Sequence, residues 1–116
     1  MSKRILMVDD DETILDAARF ILEDLGFELE TFSDPIDGER AGTTKNYDLI
    51  MLDVRMGAKN GDELTESIIR ARPDAKILIM TAYPTDPLAD KALSAGAFAL
   101  VKKPFEIEKI IDILKV

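Results

Sequence analysis

The sequence predicts an α/β domain, a sheet of five parallel strands covered on both faces by helices. Three observations lead there. Apolar runs of strand length alternate with amphipathic stretches, turn residues stand at most of the junctions, and the first, third and fourth runs are almost unbroken Ile, Leu, Val and Met. The alternation is a βα repeat. Unbroken apolar strands are buried on both faces, as in a parallel sheet sandwiched between helix layers. The 116 residues accommodate five such units. They are expected to form one domain over residues 1–116 with no linker and no room for a second, burying about two thirds of its unfolded surface.

Arg4 to Val8 reads as the first strand. Glu12 to Leu25 follows as a helix stopped by Gly26, and Glu28 to Phe32 as the second strand. Pro35 to about Gly42 predicts a short, weak helix. Next come the strand Leu49 to Asp53, a loop carrying Gly57 and Asn60-Gly61, and a helix from Asp62 to Arg72 ended by Pro73. Lys76 to Met80 is the fourth strand, Asp86 to Ala95 a helix ended by Gly96, Phe98 to Val101 the fifth strand, and Phe105 to Leu114 the last helix. In the first helix Leu15, Ala18, Leu22 and Leu25 form a core-facing row. Ile14, Ala17 and Ile21 form a second apolar row, either the edge of a broad core stripe or a docking face for a partner.

Charge and composition narrow the function. Twenty-three acids against 15 bases give a net charge of −8, which opposes electrostatic capture by nucleic acid or an anionic membrane. No cysteine is present, so disulfides and thiolate metal sites are excluded. Lys3 and Arg4 precede an apolar stretch too short for a signal peptide, and no later segment is long enough to span a membrane, so a cytoplasmic location is inferred.

Right-handed βαβ crossovers bring the carboxyl ends of parallel strands to one edge, where an open α/β sheet has its binding crevice. Asp9, Asp10 and Asp11 follow the first strand, Asp53 closes the third, Thr81 follows the fourth and Lys102-Lys103-Pro104 the fifth. Any one of these has an ordinary structural role: Asp11 or Glu12 as a helix cap, Asp53 in a turn, Thr81 in the backbone, a lysine in solvent. Asp9 and Asp10 repel one another unless a cation lies near. Magnesium suits such a set, because it takes oxygen ligands from one or two carboxylates and completes its shell with water and phosphate oxygens. Asp53 is a further oxygen ligand. Acids, a hydroxyl and an ammonium at four strand ends together fit a divalent metal and a phosphoryl group.

The segments ILMVDDDE, YDLIMLDVRMG, ILIMTAY and ALVKKPF, in this order and at these spacings, resemble the receiver domain of two-component response regulators over essentially the whole chain. The resemblance implies a doubly wound, flavodoxin-like (βα)5 fold with strand order 2-1-3-4-5. It implies Asp53 as phosphoacceptor, Asp10 as a direct magnesium ligand, Asp9 as a ligand mainly through water, and the backbone carbonyl of Arg55 as the remaining protein ligand. Thr81 would bond the phosphoryl oxygens, Lys103 would pair with the carboxylate and then the phosphoryl group, and Lys103-Pro104 would be a cis peptide. The chain has no histidine. The donor implied is therefore another protein, a histidine kinase or histidine phosphotransfer protein. The implied output is a switched surface for a downstream protein, with phosphorylation-dependent homodimerisation a further candidate. On this reading the protein catalyses only its own phosphorylation and dephosphorylation.

Four positions depart from the family pattern. Leu100 stands where many receivers have an aromatic residue, and Phe98 does not replace it. Gly57 takes the place of a common proline, predicting a looser loop. Pro84 and Pro87 crowd the segment after Thr81. Arg55 and Tyr83, each two residues beyond a site residue, either shield an acyl phosphate from water or point to solvent. Other functions fit less well. A phosphatase of the haloacid-dehalogenase type needs an aspartate at Arg55, and a flavodoxin needs a hydroxyl- and glycine-rich loop where Asp9 to Glu12 stand. A phosphorylation-independent interaction module leaves Asp53, Thr81 and Lys103 without a purpose.

Overall fold

The computed structural model describes residues 2–104 and 107–115. Five strands, β1 (Arg4–Val8), β2 (Glu28–Phe32), β3 (Leu49–Asp53), β4 (Ile77–Thr81) and β5 (Ala99–Lys102), alternate with helices α1 (Glu12–Asp24), α2 (Pro35–Thr44), α3 (Gly61–Ala71), α4 (Pro87–Ala95) and α5 (Ile107–Leu114). All strand pairs are parallel, in the order β2-β1-β3-β4-β5. This is the doubly wound arrangement with its switch point between β1 and β3.

Period-2 alternation divides the central strands between two cores. Ile5, Met7, Leu49, Met51, Leu78, Met80 and Val101 pack with Leu15, Ala18 and Leu22 of α1 and Ile110 and Leu114 of α5. Leu6, Val8, Ile50, Leu52, Ile77 and Ile79 pack on the opposite face with Ala41 of α2, Leu64 and Ile68 of α3, and Ala89 and Ala92 of α4. Every residue of β3 and β4 is buried. Their unbroken apolar sequence therefore follows from helices on both sides of the sheet.

The helices start where short polar side chains satisfy free backbone N–H groups. Asp11 accepts from Thr13 N–H, Asp34 from Ile36 N–H and Asp86 from Leu88 N–H. Asp11 is thus a cap, as its position suggests, and Asp86 is a cap rather than the first helical residue. Leu25 is 50% exposed instead of lying in the core row, because α1 ends at Asp24 and Gly26 (φ 94°) turns the chain away. Phe27 packs against that core instead. Strands β4 and β5 each begin and end one residue later than predicted. The predicted start of α5 at Phe105 lies outside the described residues.

Candidate functional site

At the carboxyl edge of the sheet, backbone bonds prolong the strand pattern and fix the polar side chains that follow it. Asp9 N–H donates to the Phe32 carbonyl at 3.2 Å, Val54 N–H to Met80 at 3.1 Å and Lys103 N–H to Thr81 at 2.7 Å. With β1 paired to β3, the ends of β1, β3, β4 and β5 lie side by side. The Lys103-Pro104 peptide is cis.

Asp9, Asp10 and Asp53 present carboxylate oxygens that all lie within 4.8 Å of one another. Asp9 is fully buried and Asp53 is 9% exposed, whereas Asp10 faces solvent. Asp9 Oδ1 accepts from Asp11 N–H at 3.0 Å, and its Oδ2 accepts from Lys103 Nζ at 2.6 Å. The same ammonium donates to Asp53 Oδ1 at 3.1 Å. Lys103 therefore joins β1 to β3 across the site from the end of β5.

One ammonium does not balance three carboxylates. Burial, then the charge of Asp9, pushes the Asp53 carboxyl up to about 6, with Asp10 adding to the rise and Lys103 opposing it. Burial pulls the Lys103 ammonium down, but the bond to Asp9 and the charges of Asp53 and Asp9 outweigh it and hold its pKa above the ordinary lysine value. The excess negative charge and the all-oxygen donor set fit a hard divalent cation such as magnesium. Asp9, Asp10 and Asp53 are the carboxylates that could hold it.

Thr81 ends β4 beside this cluster and is buried. Its hydroxyl accepts from Tyr83 N–H at 3.0 Å and donates to the Tyr83 carbonyl at 3.2 Å, so it is engaged by its own loop. Tyr83 is 73% exposed. The Arg55 guanidinium makes a two-pronged ion pair with Asp86, Nε to Oδ2 at 2.7 Å and Nη2 to Oδ1 at 2.9 Å. This pairing was not apparent in the sequence. The hint available was the Asp86-Pro87 pair, a cap followed by proline at the first helical position.

Asn60 Oδ1 accepts from Met56 N–H at 2.8 Å and from Gly57 N–H at 3.3 Å, which ties the loop after β3 together. Gly57 has φ 86°, a value closed to proline. Gly61 starts α3 directly against β3. A Cβ there would lie 2.6 Å from the Asp53 carbonyl oxygen and 3.2 Å from Val54 Cα, so only glycine permits the approach. Leu100 pairs with Ile79 and packs into the α4-side core. Phe98 is half exposed, with Lys76 Nζ 5.3 Å from its ring centre. Beside Lys103, an apolar groove is lined by Ile14, Ala17, Ile21, Pro104 and Ile107.

Known proteins share this architecture and about a quarter to a third of the sequence. A response regulator receiver domain from Methanospirillum hungatei superposes with a TM-score of 0.91 at 34% identity, covering 99% of this chain and 95% of that one. The receiver domain of the sensor histidine kinase PA1611 from Pseudomonas aeruginosa, solved with a magnesium ion coordinated in its active-site cleft, gives a TM-score of 0.89 at 25% identity, covering 99% and 96%. Among curated sequences, the transcriptional regulator NtrC of Azospirillum brasilense is 34% identical over 96% of this chain and 23% of its own length. The regulatory protein DctR of Rhodobacter capsulatus is 32% identical over 97% and 58%. The chain thus spans between about a quarter and three fifths of these two relatives. The family model described as the response regulator receiver domain matches residues 5–115, from the first strand into the last helix. Sequence and fold agree over the same span, and the chain belongs to the receiver domains of two-component response regulators.

Proposed function

We propose that the protein accepts a phosphoryl group on Asp53 from a phosphohistidine of a partner, a histidine kinase or histidine phosphotransfer protein, and thereby switches a surface read by a downstream protein. The observation that carries this reading is the Lys103 ammonium shared between Asp9 and Asp53 at the edge of the sheet. An Asp53 carboxylate oxygen attacks phosphorus, the P–N bond to the donor imidazole breaks, and the imidazole nitrogen keeps the electron pair. The product is an acyl phosphate on Asp53. Lys103 already touches the attacking carboxylate and is positioned to follow charge onto the phosphoryl oxygens. The Thr81 hydroxyl reaches those oxygens once it leaves the Tyr83 backbone.

Magnesium, when bound, supplies the charge neutralisation that one ammonium cannot. Asp10 and Asp53 would hold it directly, Asp9 mainly through water, and the Arg55 carbonyl would complete the protein ligands. The apolar row of Ile14, Ala17 and Ile21 lines a groove that reaches Lys103 and Pro104, which suits it to receive the partner that carries the phosphohistidine. Among the described residues no helix is long and apolar enough to cross a membrane, which agrees with action in the cytoplasm.

Intact mass after incubation with acetyl phosphate or phosphoramidate, with and without magnesium, tests the reading. A single phosphoryl adduct that requires magnesium and is absent from Asp53→Ala is the expected result. A folded, metal-binding protein that takes no adduct from either donor would instead make the chain a phosphorylation-independent interaction module.

A further inference from the structure

The Arg55–Asp86 ion pair closes a ring of contacts around the candidate site. From Asp53 the chain runs two residues to Arg55. The Arg55 guanidinium binds both oxygens of Asp86. Asp86 N–H donates to the Tyr83 carbonyl at 2.9 Å, and Tyr83 engages the Thr81 hydroxyl through both its N–H and its carbonyl. Thr81 ends β4, the strand paired with β3.

The side of this ring from Tyr83 to α4 is stiff. Tyr83 to Asp86 is a β-turn with Pro84 at its second position, where proline fixes φ and favours the turn. Pro87 begins α4 immediately afterwards, and Asp86 Oδ1 also accepts from Leu88 N–H at 2.9 Å. One carboxylate therefore caps α4 and anchors Arg55 at the same time. Its side chain is 8% exposed, while that of Arg55 is 64% exposed. The cap is the seated partner and the guanidinium the one free to move.

We propose that the Arg55–Asp86 pair is a latch: it holds the turn after β4 and the start of α4 against the loop after β3, and a phosphoryl group on Asp53 releases it by drawing the Arg55 guanidinium away. The proposal rests on Asp53 being the phosphoacceptor. A phosphoryl group brings roughly two negative charges and three acceptor oxygens, and binds a guanidinium better than one carboxylate does. Its oxygens also compete with the Tyr83 backbone for the Thr81 hydroxyl. Loss of both contacts frees the turn at its two ends, and the rigid Pro84 turn carries the movement to α4.

Amide hydrogen exchange over residues 84–95, in the full chain, tests the latch. Asp86→Asn keeps a good helix cap but loses the ion pair. Without additives, the variant is expected to exchange about fivefold faster than wild type in this segment alone. Magnesium with beryllium fluoride, used as a phosphoryl mimic, should raise wild-type exchange there to a similar level and add little to the variant. Arg55→Gln should behave as Asp86→Asn does. Wild-type protection in both variants would overturn the latch. So would faster exchange spread evenly over all helices, or a wild type that takes the phosphoryl adduct yet keeps α4 protected. Failure of wild type to take any adduct would count against Asp53 as phosphoacceptor and against the release step. The comparison of variants without additives would then still decide whether the ion pair holds α4.

Discussion

Lys103 Nζ lies 2.6 Å from Oδ2 of Asp9, a carboxylate with no solvent exposure. The contact to Asp53 is longer, 3.1 Å. The shorter bond makes Lys103 first a structural counter-charge for Asp9 and second a ligand of Asp53. Replacing it with Met would leave two neighbouring buried carboxylates without their cation. Lys103→Met is expected to destabilise the protein by about 2–4 kcal/mol at pH 8, at or below the cost of breaking a buried pair because the site opens to water on one side. Urea unfolding should show the deficit shrinking at pH 5, where protonation of a carboxyl relieves the repulsion. An equal deficit at both pH values would show that packing, not charge, is lost.

Asp53 gives a second pH dependence, in the protein without metal. Its carboxyl titrates near 6 in the folded state against 3.8 ordinarily, raised first by burial and then by Asp9. Between these values the folded state holds the extra proton. The contribution is fully present below about pH 4 and is lost as pH rises through about 6. Asp53→Asn should remove that slope and stabilise the metal-free protein by about 1–2 kcal/mol at pH 8, after discounting for solvent near the site. Magnesium should reverse the trend, since protons compete with it for Asp53 below about pH 6. Denaturant midpoints at pH 4.5, 6 and 8, with and without magnesium, check both signs.

The parts of this fold that were legible in the sequence are those in which one residue type has one physical reason. Unbroken apolar runs such as Leu49 to Leu52 admit only strands buried on both faces, and the polar residue after each run marks the edge of the sheet. Asp9, Asp10, Asp53, Thr81 and Lys103 could be read for that reason, and the fold brings them to one edge. Helix α2 was harder. Gly38 and Gly42 weaken its helical signal, yet Cβ atoms there would come within 2.6 Å of the Val8 and Ile68 side chains, so the glycines serve close packing of a helix that runs on to Thr44. The Arg55–Asp86 pair was not legible because its partners lie 31 residues apart and meet only when β3 and β4 pair. Leu25 shows the opposite error, a correct helical period carried one residue beyond the end of its helix.

Gly61 links the backbone of the site to stability. A methyl group at this position meets the Asp53 carbonyl and Val54 Cα, which are backbone atoms and cannot rotate aside. Gly61→Ala is therefore expected to cost about 1–3 kcal/mol by overpacking, more than the small gain that alanine brings to a helix. Because the displaced atoms belong to Asp53, the proposed phosphoacceptor, and to the residue after it, the variant should also take phosphate from acetyl phosphate more slowly than wild type. Thermal unfolding and intact mass measure the two effects separately. A variant as stable and as reactive as wild type would mean that α3 can slide along β3 without disturbing the site.

Ile14→Asp separates partner docking from chemistry. Ile14 is partly buried, packs against the α1-side core, and lines the groove that runs to Lys103 and Pro104. A carboxylate there places a charge on the apolar wall without touching Asp9, Asp53 or Lys103. Phosphorylation by acetyl phosphate, which needs no docked protein, should be unchanged. Transfer from a phosphorylated histidine phosphotransfer protein should slow by about tenfold or more, the loss expected from removing an apolar anchor worth about 1.4 kcal/mol. Far-ultraviolet circular dichroism and the denaturant midpoint establish that the variant is folded. If both donors slow together, the substitution has disturbed the site. If neither slows, the row of Ile14, Ala17 and Ile21 is simply the margin of a broad core stripe.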